Sequence, residues 1–97
     1  MPTYDEVPRF WRDWAALSPE EQKQFRLAVE QIVDDMKAKR PFRNGLRVRA
    51  FHNIPGAFEM RWSDEGRALF KYGTSPHQGD THIIWLRVGT HDIYDHP

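Results

Sequence analysis

THIIWLRVGTHDIY, running from Thr81 to Tyr94, is the stretch on which the fold turns. Ile83, Ile84, Trp85, Leu86 and Val88 make it the most apolar run in the chain, and Gly89 ends that run. β-Branched, aromatic and aliphatic residues in unbroken succession before a glycine predict a buried strand. A strand apolar on both sides belongs in the middle of a sheet or under covering elements. Beyond Gly89 the sequence turns to groups able to exchange protons: Thr90, His91, Asp92 and Tyr94. The other elements are therefore expected to be arranged around this strand, with function at its end.

Working upstream, the residues between Leu46 and Tyr72 alternate with period two. Leu46, Val48 and Ala50 alternate with Arg47 and Arg49. Phe58, Met60 and Trp62 alternate with Glu59 and Arg61, and Ala68, Phe70 and Tyr72 with Arg67, Leu69 and Lys71. Asn53-Ile54-Pro55-Gly56 and Ser63-Asp64-Glu65-Gly66 have turn chemistry, and short turns between strands predict an antiparallel meander.

Further upstream the period becomes helical. Val7, Phe10, Trp11, Trp14 and Leu17 form an aromatic stripe, with Pro8 in the first turn. Ser18-Pro19-Glu20-Glu21 has the pattern of a capping box, and Phe25, Val29, Ile32, Val33 and Met36 follow on one face. Lys37, Lys39 and Arg40 are expected to close the last turn, with Pro41 and Asn44-Gly45 as the stop. A link of about two residues folds the helices into a hairpin. Residues 1–6 are polar and without period. The expected fold is α+β, with an N-terminal helical hairpin on one face of a twisted, mainly antiparallel four-stranded sheet.

The bulk composition narrows the function classes. Ninety-seven residues predict a single domain over 1–97. Fourteen basic and fourteen acidic side chains cancel, so a case for nucleic acid must rest on local charge. The absence of cysteine excludes disulfides and thiolate chemistry. MPTYDEVPRF has no apolar signal region and no run reaches membrane-spanning length, so a cytoplasmic protein without a membrane partner is expected.

If the apolar set of each strand packs on the helices, Arg47, Arg49, Glu59, Arg61, Arg67 and Lys71 share the opposite face. Parity along the last strand groups Ile83, Trp85 and Arg87, with His91 following if the chain stays extended past Gly89. With that group on the charged face, a basic surface gains an aromatic floor and an imidazole at its rim. Guanidinium forks bind phosphate oxygens, and aromatic faces stack unpaired bases. Cutting RNA without a metal or other cofactor needs a base for the 2′-hydroxyl, a stabiliser for the crowded phosphate and an acid for the leaving oxygen. Arg61 and Arg67 suit the phosphate, His91 titrates near neutrality, and Glu59 suits the base. The ordinary alternative is a set of surface salt bridges, Glu59 with Arg67 or with Arg49. His91, Asp92, Asp95 and His96 resemble a metal site only superficially, since they crowd one chain end, and no metal is expected.

The order helical hairpin, FEMRW, DEGRALFKY and IIWLRVGTHDIY resembles the RelE/ParE toxin superfamily of bacterial toxin–antitoxin systems, over about Phe10 to Tyr94. The resemblance implies a ribosome-dependent endoribonuclease that cuts messenger RNA, held inactive by a cognate antitoxin. Gyrase inhibition, or a nontoxic antitoxin-binding relative, are the alternatives. It also implies that Arg67 holds the scissile phosphate and that Arg61, His91 and, loosely, Tyr94 occupy family positions, while Arg47 and Arg49 match only the basic character of their strand. The alternation itself adds Arg47, Arg49, Lys71, Trp85 and Arg87 as further expected RNA contacts. The family's N-terminal strand is not evident in MPTYDEV, and Glu59 stands where a cation is expected.

Overall fold

The computed structural model describes residues 3–74, 81–90 and 93. Strand β1 (Thr3–Glu6) leads into helices α1 (Pro8–Ala16) and α2 (Pro19–Lys37). A single 3₁₀ turn (Asn44–Leu46) opens the run of strands β2 (Arg49–Ala50), β3 (Ala57–Arg61), β4 (Gly66–Gly73) and β5 (His82–Thr90). They form one α+β sheet in the order β1-β5-β4-β3-β2. The meander from β2 to β5 is antiparallel as expected, and β5 lies inside the sheet.

Two expectations about strands are corrected. The sheet has five strands, not four, because Thr3–Glu6 pairs parallel to β5. An edge strand of four residues is held through its backbone, and Tyr4 remains 61% exposed, so no apolar period marks it. β2 is also shorter than the alternation from Leu46 suggests. Leu46 is buried in the 3₁₀ turn, and Arg47 takes a left-handed conformation (φ 46°) that interrupts extension.

The helices start where the sequence says. Ser18 Oγ accepts from the Glu21 amide at 3.1 Å, and the Glu21 carboxylate accepts from the Ser18 amide at 2.8 Å. Such a cap contributes about 1 kcal/mol. The stop comes earlier than expected. Lys39 turns left-handed (φ 53°), so Lys39 and Arg40 fall beyond the helix and Lys37 alone occupies its last turn.

Both helices pack their apolar stripes on one sheet face. Phe25 is the hub, with ring centroids 5.9 Å from Phe10, 6.2 Å from Trp62 and 5.3 Å from Trp85. Ile32, Met60, Ala68, Phe70, Ile83 and Val88 complete the buried cluster. Each large apolar side chain so buried contributes about 1.5–3 kcal/mol. Trp11 is corrected out of the stripe: it is 52% exposed and touches Phe10 edge-on.

Candidate functional site

The site depends on a register slip. Along the β4–β5 ladder Leu69 stands opposite Arg87 and Phe70 opposite Trp85, so Leu86 is an extra residue in β5. Cross-strand partners project to the same face, and one inserted residue reverses parity beyond it. Ile83 and Trp85 lie on the helix side, 2% and 3% exposed. Beyond the bulge it is Val88 that takes the core side, and Gly89 stands opposite Arg67.

This corrects the simple parity count for two residues. Trp85 is not a floor for the charged face, because it packs against Phe10, Phe25 and Phe70. Arg87 is not presented to a ligand either. Its Nε and Nη2 donate to the Asp13 carboxylate of α1 at 2.5 and 3.0 Å, and the Val88 amide adds a third bond to Asp13 at 3.2 Å. That clasp ties α1 to the bulged strand.

The charged face itself forms. Arg49 stands opposite Glu59, and Glu59 opposite Leu69; in the next row Arg61 stands opposite Arg67, and Arg67 opposite Gly89. With Arg47 turned in from the end of the 3₁₀ turn, Arg47, Arg49, Glu59, Arg61 and Arg67 line a cleft of about 90 Å³. The cleft is small, on the scale of a phosphate group rather than of a nucleoside. Lys71 shares the face but sits four residues from Arg67, roughly 13 Å along the strand, outside the cleft.

Hydrogen bonds fix the two rows differently. Glu59, only 7% exposed, accepts from Arg49 Nε, which realises one of the two salt bridges expected from sequence. Arg61 donates from Nη2 to the Asp64 carboxylate at 2.8 Å and from Nε to the Ser63 carbonyl at 3.2 Å. Arg67 donates from Nη1 to the carbonyls of Ser63, Asp64 and Gly66 at 3.2, 3.2 and 2.8 Å. The β3–β4 turn thus props both guanidinium groups over the last row of the sheet. Gly66 is needed there: a Cβ on it would stand 2.4 Å from the Trp62 ring, whose Nε1 donates to the Arg67 carbonyl at 2.9 Å.

The face is less open than a half-solvated sheet. Leu69 is fully buried on it, and Ile93, 6% exposed, lies where a Cβ of Gly89 would come within 2.6 Å. Ile93 therefore lies beside Gly89, the residue opposite Arg67. His91 and Tyr94, candidate residues from the sequence, lie outside the described residues.

Electrostatically the cleft sets four guanidinium groups against the Glu59 carboxylate that lines it and the Asp64 carboxylate that pairs with Arg61. Like charges this close disfavour one another, and an anion with several acceptor oxygens relieves the repulsion. Among the described residues, no group of three His, Asp or Glu side chains is placed to hold a metal ion. None of the described helices is long and apolar enough to cross a membrane.

Sequence reasoning passed over four polar groups. Asp35 is 1% exposed and accepts from Arg40 Nε at 2.8 Å and from the amide, Nε and Nη2 of Arg43 at 2.9, 3.1 and 2.9 Å. The bonds from Arg43, with help from Arg40 and against the cost of burial, hold its carboxyl well below the usual range. Its position three after Ile32 on the buried face was the available signal. Asp13 was hidden because its partner lies across the fold. His82 looks like a strand end, yet it is 7% exposed and 3.1 Å from Asp5 of β1. His52 sits on the β2–β3 loop, beside Arg49 and Glu59.

No family model matches the sequence, and no curated protein matches it closely enough to count. Solved structures do match in shape. The RelB–RelE antitoxin–toxin complex from Methanococcus jannaschii superposes with a TM-score of 0.62 at 18% identity, over 95% of this chain and 96% of that one. YafQ from E. coli strain BL21(DE3) gives 0.69 at 8% identity, over 97% and 98%. The YoeB/ParE toxin from Agrobacterium tumefaciens gives 0.61 at 13%, over 92% and 98%.

The fold is that of the RelE/ParE toxins. Each of these likenesses spans more than nine-tenths of both chains. At such identities the likeness speaks for the fold, and the chemistry must come from the cleft.

Proposed function

We propose that this RelE-like protein is the toxin of a toxin–antitoxin module and acts as a metal-independent, ribosome-dependent messenger RNA endonuclease. The observation that carries the reading is the convergence of Arg47, Arg49, Arg61 and Arg67 on one phosphate-sized cleft beside Glu59. A trigonal-bipyramidal phosphate carries more charge on its equatorial oxygens than the ground state, and preorganised guanidinium groups favour it selectively.

In the proposed reaction the 2′-oxygen attacks the adjacent phosphorus and the bond to the 5′-oxygen breaks. Glu59 takes the 2′-hydroxyl proton, and Arg49 keeps that carboxylate in place. Arg61 and Arg67 hold the non-bridging oxygens. His91, two residues after the Gly89 that stands opposite Arg67, returns a proton to the leaving oxygen. The products are a 2′,3′-cyclic phosphate and a free 5′-hydroxyl. Tyr94 would stack a base near the same end.

The cation excess also suits an acidic, partly disordered antitoxin segment that folds on contact and covers the cleft. The complexes among the structural neighbours support such a partner. Primer extension on translated messages after induction tests the enzyme. Cleavage within translated regions is expected, and Arg67→Ala should lower it at least about 100-fold, the scale of removing one oxyanion donor. Intact transcripts in cells that nevertheless stop growing would sink the nuclease reading.

A further inference from the structure

A second depression adjoins the arginine cleft and the reaction above does not use it. It measures about 350 Å³ and is lined by Arg49, Ala50, Phe51, His52, Asn53 and Glu59. Arg49 and Glu59 line both depressions, so the two adjoin at that ion pair. The size falls in the range of small-ligand sites, where the arginine cleft falls far below it.

Its wall is preorganised. The Phe51 amide donates to the Ala57 carbonyl at 2.9 Å, the Ile54 amide to the Phe51 carbonyl at 3.3 Å and the Ala57 amide to the Ile54 carbonyl at 3.1 Å. Gly56, at φ 78°, lets the loop turn back into β3. These bonds hold Phe51, His52 and Asn53 in a short closed loop against the sheet edge. Phe51 is half-buried, whereas His52 and Asn53 are exposed. The loop therefore places a phenyl ring, an imidazole ring and a carboxamide around a depression that shares Arg49 and Glu59 with the arginine cleft.

We infer that Phe51, His52 and Asn53 form a base-binding subsite, so that one unpaired nucleotide places its phosphate among the arginines and its base on the β2–β3 loop. Aromatic faces accept any base by stacking, and the Asn53 amide, with a donor and an acceptor, adds hydrogen bonding to a base edge. An acidic peptide would satisfy the arginines but gives the rings and the carboxamide no comparable role. The inference rests on the proposal that the cleft binds RNA phosphate, and it adds which flanking surface reads the base.

The test is fluorescence anisotropy of the full chain with a labelled single-stranded oligoribonucleotide, set against the same oligonucleotide with one abasic position. The wild type is expected to bind the intact strand about tenfold more tightly, the contribution of one stacked base. Phe51→Leu should erase that difference, Phe51→Trp should keep it, and both should leave the salt dependence unchanged because no phosphate contact is lost. Arg67→Ala should weaken both strands alike and reduce the salt slope by about one. Equal wild-type affinity for intact and abasic strands would overturn the subsite while leaving the phosphate reading standing. Failure of the wild type to bind either strand at low salt would overturn both. A Phe51→Leu loss confined to binding of a poly-glutamate peptide would assign the loop to a protein partner instead.

Discussion

Asp35 and Glu59 are both buried carboxylates held by arginine, and they lie at opposite extremes of use. Asp35 accepts four hydrogen bonds from Arg40 and Arg43, so both oxygens are occupied and the cluster is closed. Glu59 is the one carboxylate lining a cleft with four guanidinium groups, where Arg49 pairs with Glu59, Arg61 with Asp64 and Arg67 with backbone carbonyls. Closure of the cluster, rather than the presence of arginine, separates a clamp that fastens the segment after α2 from a cationic cleft with room for a ligand. A buried carboxylate surrounded by donors contributes to stability, whereas cations gathered on one face repel one another until an anion arrives.

The largest expected contrast comes from neutralising each carboxylate in turn. Glu59→Gln should lower messenger RNA cleavage about 10²- to 10⁴-fold, the scale of losing a general base. The same change removes a negative charge from the cleft, so binding of single-stranded RNA should tighten about threefold to tenfold. Cleavage at wild-type rates with tightened binding would take Glu59 out of the chemistry and leave it as the partner of Arg49. Asp35→Asn should do the reverse, leaving the cleft's affinity intact while lowering the melting temperature.

Acid separates the two regions further. The Asp35 carboxyl is depressed below its ordinary 3.8, chiefly by the bonds from Arg43, so the unfolded chain takes up its proton more readily than the folded one. The stability it supplies is complete above about pH 4 and drains away as pH falls towards the folded-state value. In denaturant titrations the gap between wild type and Asp35→Asn should hold steady from pH 7 to 5 and shrink below about pH 4. A gap that stays constant down to pH 2 would mean that the clamp does not act through the ionised carboxylate.

Elements with a strong local period were legible in the sequence. Ser18 and Glu21 announced the start of α2, the meander from β2 to β5 followed from alternation, and the clustering of Arg49, Glu59, Arg61 and Arg67 on one face followed from the same period. What escaped was set by long-range partners. β1 is fastened by backbone pairing to a strand nearly eighty residues away, and His82 meets Asp5 across the same gap. The bulge at Leu86 has no residue signature, and it turned Val88 to the core side that Ile83 and Trp85 already occupy, while Asp13 claimed Arg87 for the clasp. An arginine in a strand looks the same whether its anion is absent, adjacent or on a distant helix.

The smallest expected effect falls on the one cleft residue that the local period misdescribed. Arg47 holds a left-handed backbone at φ 46°, which costs a side-chain-bearing residue about 1–2 kcal/mol. Glycine removes that strain and adds roughly 0.5–1 kcal/mol of unfolded-chain entropy to be lost. Arg47→Gly should therefore leave stability unchanged or raise it by up to about 1.5 kcal/mol, read as a shift in the urea midpoint at constant slope. It should also weaken single-stranded RNA binding and reduce the salt slope by about one phosphate contact. Together these outcomes would place the strain in the service of the cleft, since the fold alone would be no worse with glycine. Lower stability with undiminished binding would instead make Arg47 a packing residue of the turn that caps β2.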